Sequence, residues 1–511
     1  MTILARTCIY TTKHGECLTQ GAKGNKIYLA PCSNQPERFR QASGGKMKTR
    51  SDSKGRNRPV TVLVIFLLVF LAAMTAKTGS AAGERFTLDE AVRMALKNNH
   101  ELQAQRNAHA AKGAEVGISR SSLLPRISLE ERYLRTASPA YALMTKLTQE
   151  RIEPADFAPD TLNHPAAVND FMTAVTFEQP LFVKKARIGI EMSKMEVSAS
   201  EEALQRKKEE VAFKVVQYYL MVGTAGGHVG VAEKSLEDAQ EHQRLAEVRY
   251  AAGLGLYSDT LRAATAVAEA RQRLVSAGKN QSVAKRALGL MIGSAEAVEV
   301  AAETPALPVR EIESLRTQSQ ARRDVRSLEM KTQNARNQIK LAEAGYYPLL
   351  GVGGNYQWND HNHPLGGEGD NWQVMAFLRW ELFDGAKTKY EKIKAGYQAS
   401  EAEEYLKGMK KMASFQVDEA WLTLEEAKKN QELAQEELKT AEEGRRLVKV
   451  RYEGALSPMV DLLDAQVSFD HARANRVAKE NEYKLAIFNL GYASGTILQE
   501  LQVEEQNGRT K

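Results

Sequence analysis

The sequence predicts an α+β membrane protein of two tandem repeats, each a helix, a β-hairpin and a long helix-turn-helix. Three observations carry that prediction. First, the stretch Leu447–Ala465 (L-V-K-V-R-Y-E-G-A-L-S-P-M-V-D-L-L-D-A) recurs in degenerate form at Leu245–Ala263. Arg249-Tyr250 matches Arg451-Tyr452, Leu254 matches Leu456 and Asp259 matches Asp461, at a constant offset of 202 residues. Self-similarity at a fixed offset marks an internal duplication. Second, the hydrophobic period switches from helical spacing to two in each half, first near Ile127 and again near Leu350. Third, proline is absent from Leu181 to Thr304 and from Leu365 to Ser457, leaving room for helices far longer than a globular domain uses.

The N-terminal residues stand apart. Residues 1–46 hold all three cysteines (Cys8, Cys17, Cys32), show no periodicity and read as an upstream extension ahead of Met47. Residues 47–82 have the layout of a secretory signal peptide: a basic stretch, the apolar run Val60–Met74, and small residues at Gly79-Ser-Ala-Ala82. That run is shorter than the ~20 residues a spanning helix needs. Residues 1–82 carry 13 Lys/Arg against 3 Asp/Glu, so the remainder holds 57 basic and 61 acidic groups. The basic balance belongs to the leader, which removes the case for a nucleic-acid partner. Without cysteine after the leader, a disulfide framework, a thiol nucleophile and lipidation at an N-terminal cysteine are excluded.

The first repeat is placed at 83–293. Thr87 with Glu90 is a capping-box signature, and helical spacing continues to Leu124, where Pro125 ends it. Ile127, Leu129 and Tyr133 alternate with Ser128, Glu130 and Arg132, giving a strand at about 126–135. Thr173, Val175, Phe177 and Leu181 give a second at about 172–182, after a polar loop with Pro139, Pro154, Pro159 and Pro165. A helix from about Lys184 to Ala252, softened at Gly223–Gly230, turns at a tip of about 249–259 and pairs with a helix to about Met291. At 1.5 Å per residue, ~70 residues span roughly 105 Å.

A linker covers 294–321, and the second repeat 322–495. Asn99-His-Glu-Leu102 matches Arg322-Arg-Asp-Val325 and Pro125 matches Pro348, at an offset of 223 residues, while Leu181-Phe182 matches Leu382-Phe383 at 201. The shift places a 22-residue insertion in the first hairpin. Strands are expected at about 349–358 and 372–383, then a second long helix and a tip at about 451–464. Residues 496–511 read as a mostly polar C-terminal tail, mobile from Glu500 on.

Strands of about ten residues are long enough to cross a bilayer when tilted. Tyr356, Trp358, Trp372 and Trp380 sit near strand ends, where an aromatic girdle belongs. Four strands cannot close a barrel, and each backbone group left unpaired in lipid costs several kcal/mol. Chains must therefore pool strands, eight from two chains or twelve from three. Small residues near one tip (Ala251, Ala252, Ala263, Ala264, Ala266) allow close packing, and with no globular body to cover them the long helices would close into a tube. The competing architecture is a non-conducting coiled-coil scaffold spanning the periplasm; the hairpins are what such a rod lacks.

On the duplicated R-Y-x-x-G/A turns, the A-L-K-N-N-H-E-L opening, the R-R-D-V start of the second half and the V-D-L-L-D-A segment, the chain resembles the TolC family of outer-membrane efflux proteins. The resemblance spans essentially all of 84–495. It implies a homotrimer forming a 12-stranded β-barrel in the outer membrane, continued by a periplasmic α-helical barrel that tapers at the turns. It implies a passive exit channel of a tripartite efflux or type I secretion system of a Gram-negative bacterium, set in outer-membrane lipid. The implied partners are a periplasmic adaptor (membrane fusion) protein and an inner-membrane pump. The adaptor is expected at the turns, on Arg249, Tyr250, Gly253, Leu254, Arg451, Gly454, Leu456 and Ser457.

Asp461 and Asp464, three residues apart, share one side of a helix. By resemblance they form the pore constriction, two stacked rings of carboxylates in a trimer. Charges ~8 Å apart at an effective dielectric of ~40 repel by roughly 1 kcal/mol per pair and attract cations. Acids in a first helical turn also stabilise the helix dipole, a purely structural role. In the first repeat Arg262 replaces the second aspartate, so the copies are not equivalent. Tyr452 resembles the family tyrosine that bonds an acidic residue of the first repeat to hold the tip shut, here Asp259. The family's arginine lock, four residues before the first aspartate, is replaced by Ser457.

The remaining candidates are weak. His361-Asn-His363 are metal-ligating types, but a polar hairpin loop is their simpler home, and no metal is assigned. Gly351-Val-Gly-Gly354 lacks the Lys-Ser/Thr of a phosphate loop. No Ser/His/Asp set or carboxylate dyad stands out, so neither an enzyme nor a cofactor is expected.

Overall fold

The computed structural model describes residues 85–301 and 310–503. The expected extension (1–46) and signal peptide (47–82) lie outside the described residues, as do part of the linker and the end of the tail.

A two-residue strand, β1 (Arg85–Phe86), leads into α1 (Leu88–Asn98). The capping box is formed: the Glu90 N–H donates to Thr87 Oγ1 (3.3 Å) and the Thr87 N–H to Glu90 Oε2 (2.9 Å). The helix expected to reach Leu124 is in fact two. Asn99 takes extended backbone, and its side-chain oxygen accepts from the Leu102 N–H, capping a new helix, α2 (His100–Ser121). An asparagine that bonds nearby backbone competes with the helical ladder, and Asn99 Nδ2 is also held by the Met291 carbonyl at 3.1 Å.

After β2 (Arg126–Thr136), the insertion expected as a loop is partly helical. It holds α3 (Pro139–Thr148), a 3-10 turn at Pro154–Phe157 and α4 (Pro159–Asn163). Each proline begins its helix, where a missing N–H costs nothing. β3 (Val168–Phe182) starts four residues before its expected position.

The helix α5 (Lys184–Ala251) runs 68 residues and α6 (Tyr257–Ile292) 36. α5 is unbroken through Gly223–Gly230: a β-carbon on Gly227 would lie 2.4 Å from Val477 Cγ1, so this glycine admits a neighbouring helix rather than softening its own.

The expected linker carries β4 (Glu299–Val300), paired in parallel with β1, and α7 (Ile312–Ser319). Then follow α8 (Arg323–Glu343), β5 (Leu349–Asp360), β6 (Gly369–Arg379), α9 (Lys387–Glu453), α10 (Met459–Ser494) and α11 (Ile497–Glu500). β6 ends at Arg379, short of the expected 383; Trp380 instead donates from Nε1 to the Tyr346 carbonyl at 3.0 Å. At 67 and 36 residues, α9 and α10 match α5 and α6.

The four long strands form one antiparallel sheet, ordered β2-β3-β5-β6. The register pairs Leu129 with Val175, Val175 with Tyr356 and Tyr356 with Trp372. Because side chains alternate across a strand, this puts Ile127, Leu129, Phe177, Tyr356, Trp358, Trp372 and Val374 on one face. Ser128, Glu130, Asp170, Gln357, Asn371 and Gln373 take the other. Among the described residues β2 and β6 have no outer partner. No described helix is long and apolar enough to cross a membrane.

α5 is the spine. Along one half it lies between α2 and α8, along the other between α6 and α10, and α9 packs beyond both α8 and α10. At the junction sits a core that the sequence reading lacks, formed by Leu88, Val92, Leu102, Val215, Tyr219, Leu288, Ile292, Phe488, Ile497 and Leu501. The tail is anchored at its start: Ile497 and, just inside the stretch expected to be mobile from Glu500, Leu501 are fully buried, worth about 1.5–3 kcal/mol each. By contrast the far side of α9 shows an apolar stripe, with Tyr390, Tyr397, Tyr405, Phe415 and Leu422 exposed.

Candidate functional site

Both long helix pairs reverse by the same construction. In the first, the Leu254 N–H donates to the Arg249 carbonyl (2.9 Å) and the Gly253 N–H to the Tyr250 carbonyl (3.0 Å). In the second, Leu456 donates to Arg451 (2.8 Å) and Ala455 to Tyr452 (3.1 Å). This is the Schellman motif, repeated at the offset of 202 residues. It requires a left-handed residue just past the helix, which is Gly253 (φ 71°) in one copy and Ala455 (φ 59°) in the other. Gly454, one residue before, is the C-cap, with φ −80°.

The tips are apolar and exposed. Leu254 and Leu456 hold the same place in the two motifs and are 71% and 74% exposed. Tyr250 packs on Tyr257 with ring centres 5.5 Å apart. Arg451 and Glu453 are exposed beside them, whereas Arg249 and Ser457 are half-buried. Arg249 Nη1 donates to the carbonyls of Tyr452 (2.5 Å) and Glu453 (3.1 Å), and its guanidinium lies over the Tyr452 ring at 4.8 Å. A cation on the last carbonyls of α9 also complements that helix's dipole. Of the residues expected to meet an adaptor, Arg249 is thus engaged in joining the first tip to the second.

Tyr452 is buried with Ala246, Ala263, Met459 and Leu462. Burial pushes its phenol above the ordinary range; the Arg249 charge opposes this and the Asp259 charge adds to it. The expected hydrogen bond from Tyr452 to Asp259 is not formed among the described residues; packing and Arg249 hold the tyrosine instead. Asp461 and Asp464 occupy the first two turns of α10, both exposed. Ser457 Oγ donates to Asp461 Oδ2 at 2.7 Å, so a neutral hydroxyl stands at the family's arginine position. Arg262 is exposed on α6 and makes no ion pair among the described residues.

Further up α9, about two turns from Tyr452, a cluster joins the hairpins that sequence reading missed. Asp238 Oδ2 on α5 accepts from Arg445 Nη1 on α9 (3.1 Å), and from Gln466 Nε2 (3.1 Å) and Arg473 Nη1 (3.3 Å) on α10. Both guanidiniums stack on the Phe469 ring, at 4.2 and 4.0 Å. His242 is buried, its Nε2 is 3.2 Å from Gln466 Oε1, and desolvation pushes its pKa down. Desolvation likewise pushes the Asp470 carboxyl up. The repeat hides this cluster: the offset of 202 residues sets Thr440 opposite Asp238 and Gln243 opposite Arg445. Charge at positions where the copies disagree is the signal that would have found it.

Comparison with known proteins agrees with this geometry. The profile of the outer membrane efflux protein family matches residues 91–294 and 315–496. Outer membrane protein OprJ of Pseudomonas aeruginosa is 22% identical over 385 residues, 74% of this chain and 77% of OprJ. Protein CyaE of Bordetella pertussis is 23% identical over 417 residues, 80% of this chain and 84% of CyaE. In fold the chain is similar to the Campylobacter jejuni CmeC outer membrane channel, with TM-score 0.65 and 18% identity over 80% of this chain and 86% of that one. It is also similar to the open state of the Neisseria gonorrhoeae MtrE outer membrane channel, with TM-score 0.64 and 18% identity over 80% and 89%. The chain belongs to the outer membrane efflux protein family and is an exit duct of the outer membrane that extends into the periplasm.

Proposed function

We propose that three copies of this chain pool their hairpins into a twelve-stranded barrel and their long helices into a periplasmic tube. The duct conducts passively, while an inner-membrane pump supplies energy and a periplasmic adaptor grips the tips. The observation that carries this reading is the pair of open edges. Among the described residues β2 and β6 end the sheet without partners, and α9, the helix that follows β6, carries an exposed apolar stripe. Strands of 11 and 12 residues at ~3.4 Å each, tilted ~45°, rise about 26–29 Å, which suits the ~25 Å apolar band of an outer-membrane barrel.

Three copies fit better than two. An eight-stranded barrel is filled by its own side chains, whereas the polar face of this sheet, with Glu130, Asp170, Gln357 and Gln373, suits a watery lumen. At the other end, Asp461 and Asp464 are the constriction. Closure rests on Arg249 against the end of α9, on buried Tyr452, and on the Asp238 cluster. Leu254 and Leu456, the most exposed apolar side chains of the turns, are where the adaptor docks. We assign the chain no reaction.

Light scattering of the detergent-solubilised protein, with ion flux through liposomes that contain it, tests this. A mass of three chains and measurable flux are expected. A mass of two chains refutes the barrel proposed here, and a folded oligomer without flux favours the scaffold.

A further inference from the structure

We propose that the loop joining β5 to β6 is a binding site for a first-row divalent cation of the zinc or copper type. The sequence offers His361 and His363 there, which alone are a weak signal. The structure adds two carboxylates. The register pairs Asn359 with Gly369, so Asp360 and Glu368 face each other across the end of the ladder. Donor atoms of Asp360, His361 and Glu368 all lie within 4.8 Å of one another. His361 Nδ1 is 2.5 Å from the Glu368 carboxylate, which also accepts from the His361 N–H at 3.2 Å.

Asp360 is buried, and its Oδ1 accepts from the N–H groups of Asn362 (2.7 Å) and His363 (2.8 Å). That leaves Oδ2 for a cation. The loop closes tightly over this oxygen: a β-carbon on Gly366 would lie 2.1 Å from it, and Leu365 takes a left-handed φ of 58° to make the turn. His363 Nδ1 lies 3.8 Å from Asp360 Oδ1 on an exposed side chain free to swing in as a fourth ligand. Two ligands at ~2.1 Å in tetrahedral geometry are about 3.4 Å apart, so binding asks only a small adjustment of this loop. Imidazole with carboxylate selects zinc, copper or nickel over calcium or magnesium. The ion takes the place of the direct His361–Glu368 contact and clips the hairpin shut. The loop lies at the end of the sheet away from the long helices, hence at the cell surface; that placement rests on the proposed barrel, but the binding itself does not.

The test is titration of the full-length, detergent-solubilised protein with ZnCl2 by calorimetry, beside His361→Ala, Glu368→Gln and Asp360→Asn. Wild type is expected to show one saturable site per chain, weakened at least about tenfold in each variant and on acidification, as proton release requires. Proteinase K cleavage in the loop should slow with zinc in wild type only, while unchanged circular dichroism shows that the variants fold. Equal zinc binding by wild type and variants, or no saturable site in wild type, overturns the proposal. If conductance fails but these results hold, the site stands and the duct reading falls.

Discussion

Replacing Asp238 with alanine should loosen the closure proposed for the tip, and the contacts of Asp238 set the size of the effect. One carboxylate oxygen holds Arg445, Gln466 and Arg473 at 3.1–3.3 Å, across three helices of two hairpins. Gross attraction at ~3.2 Å and an effective dielectric of ~20 is about 5 kcal/mol per arginine. The Asp238 side chain is 27% exposed, so water screens much of that. A charge-assisted hydrogen bond nets about 1.5–3 kcal/mol. Without the Asp238 carboxylate, two guanidiniums share one Phe469 ring, with only Asp470 beside Arg473 at 3.9 Å to offset their charge. A loss of about 3 kcal/mol in hairpin docking would shift the closed-to-open ratio roughly a hundredfold. The assay is open probability in planar bilayers for Asp238→Ala, Arg445→Ala and the double variant. Both single variants should open more often, and the double should fall well short of their sum because both remove one contact. Strictly additive effects, or a wild-type open probability in Asp238→Ala, would refute the reasoning.

Other outcomes follow from local geometry. Ala455→Gly relieves a left-handed alanine and should raise the unfolding temperature, by an amount equivalent to about 1 kcal/mol; a lower temperature would mean that the turn is not strained. Gly227→Ala puts a methyl 2.4 Å from Val477 and should cost about 1–3 kcal/mol in urea unfolding, while Gly223→Ala, with open space around it, should not destabilise. Burial holds His242 below its ordinary pKa, so as pH falls the unfolded chain binds that proton first and stability declines below about pH 6.5. Asp470, held above its ordinary value, works in the opposite direction at lower pH; Asp238, Arg445 and Lys449 are the other charged groups that act on the His242 ring. His242→Gln should flatten the melting temperature between pH 6.5 and 5; an unchanged slope would remove His242 as the cause.

Much of the architecture is legible in the sequence because the two repeats restate it. The first proline-free stretch gives α5 almost to the residue, the second leaves room for α9 without marking its start, and alternation gives the four strands to within a few. What escapes is local bonding that periodicity does not record. Asn99 ends a helix through its own side chain, and Ile497 and Leu501 find a core too distant in sequence to see. At the tips, the duplicated R-Y motif locates both turns, but equal motifs suggest equal roles. Arg249 is drawn into the second hairpin while Arg451 stays in solvent, a difference made by packing rather than by the motif. Asp238 has no repeat counterpart at all, so no pattern pointed to it.

Single-channel conductance of the purified oligomer, with Asp461→Ala/Asp464→Ala alongside, tests the central claim most directly. A gated duct constricted by these carboxylates predicts a small, cation-selective conductance in wild type, larger and less selective in the double variant. No conductance from either folded oligomer would contradict the duct, and a conductance unchanged by the substitution would contradict the placement of its gate.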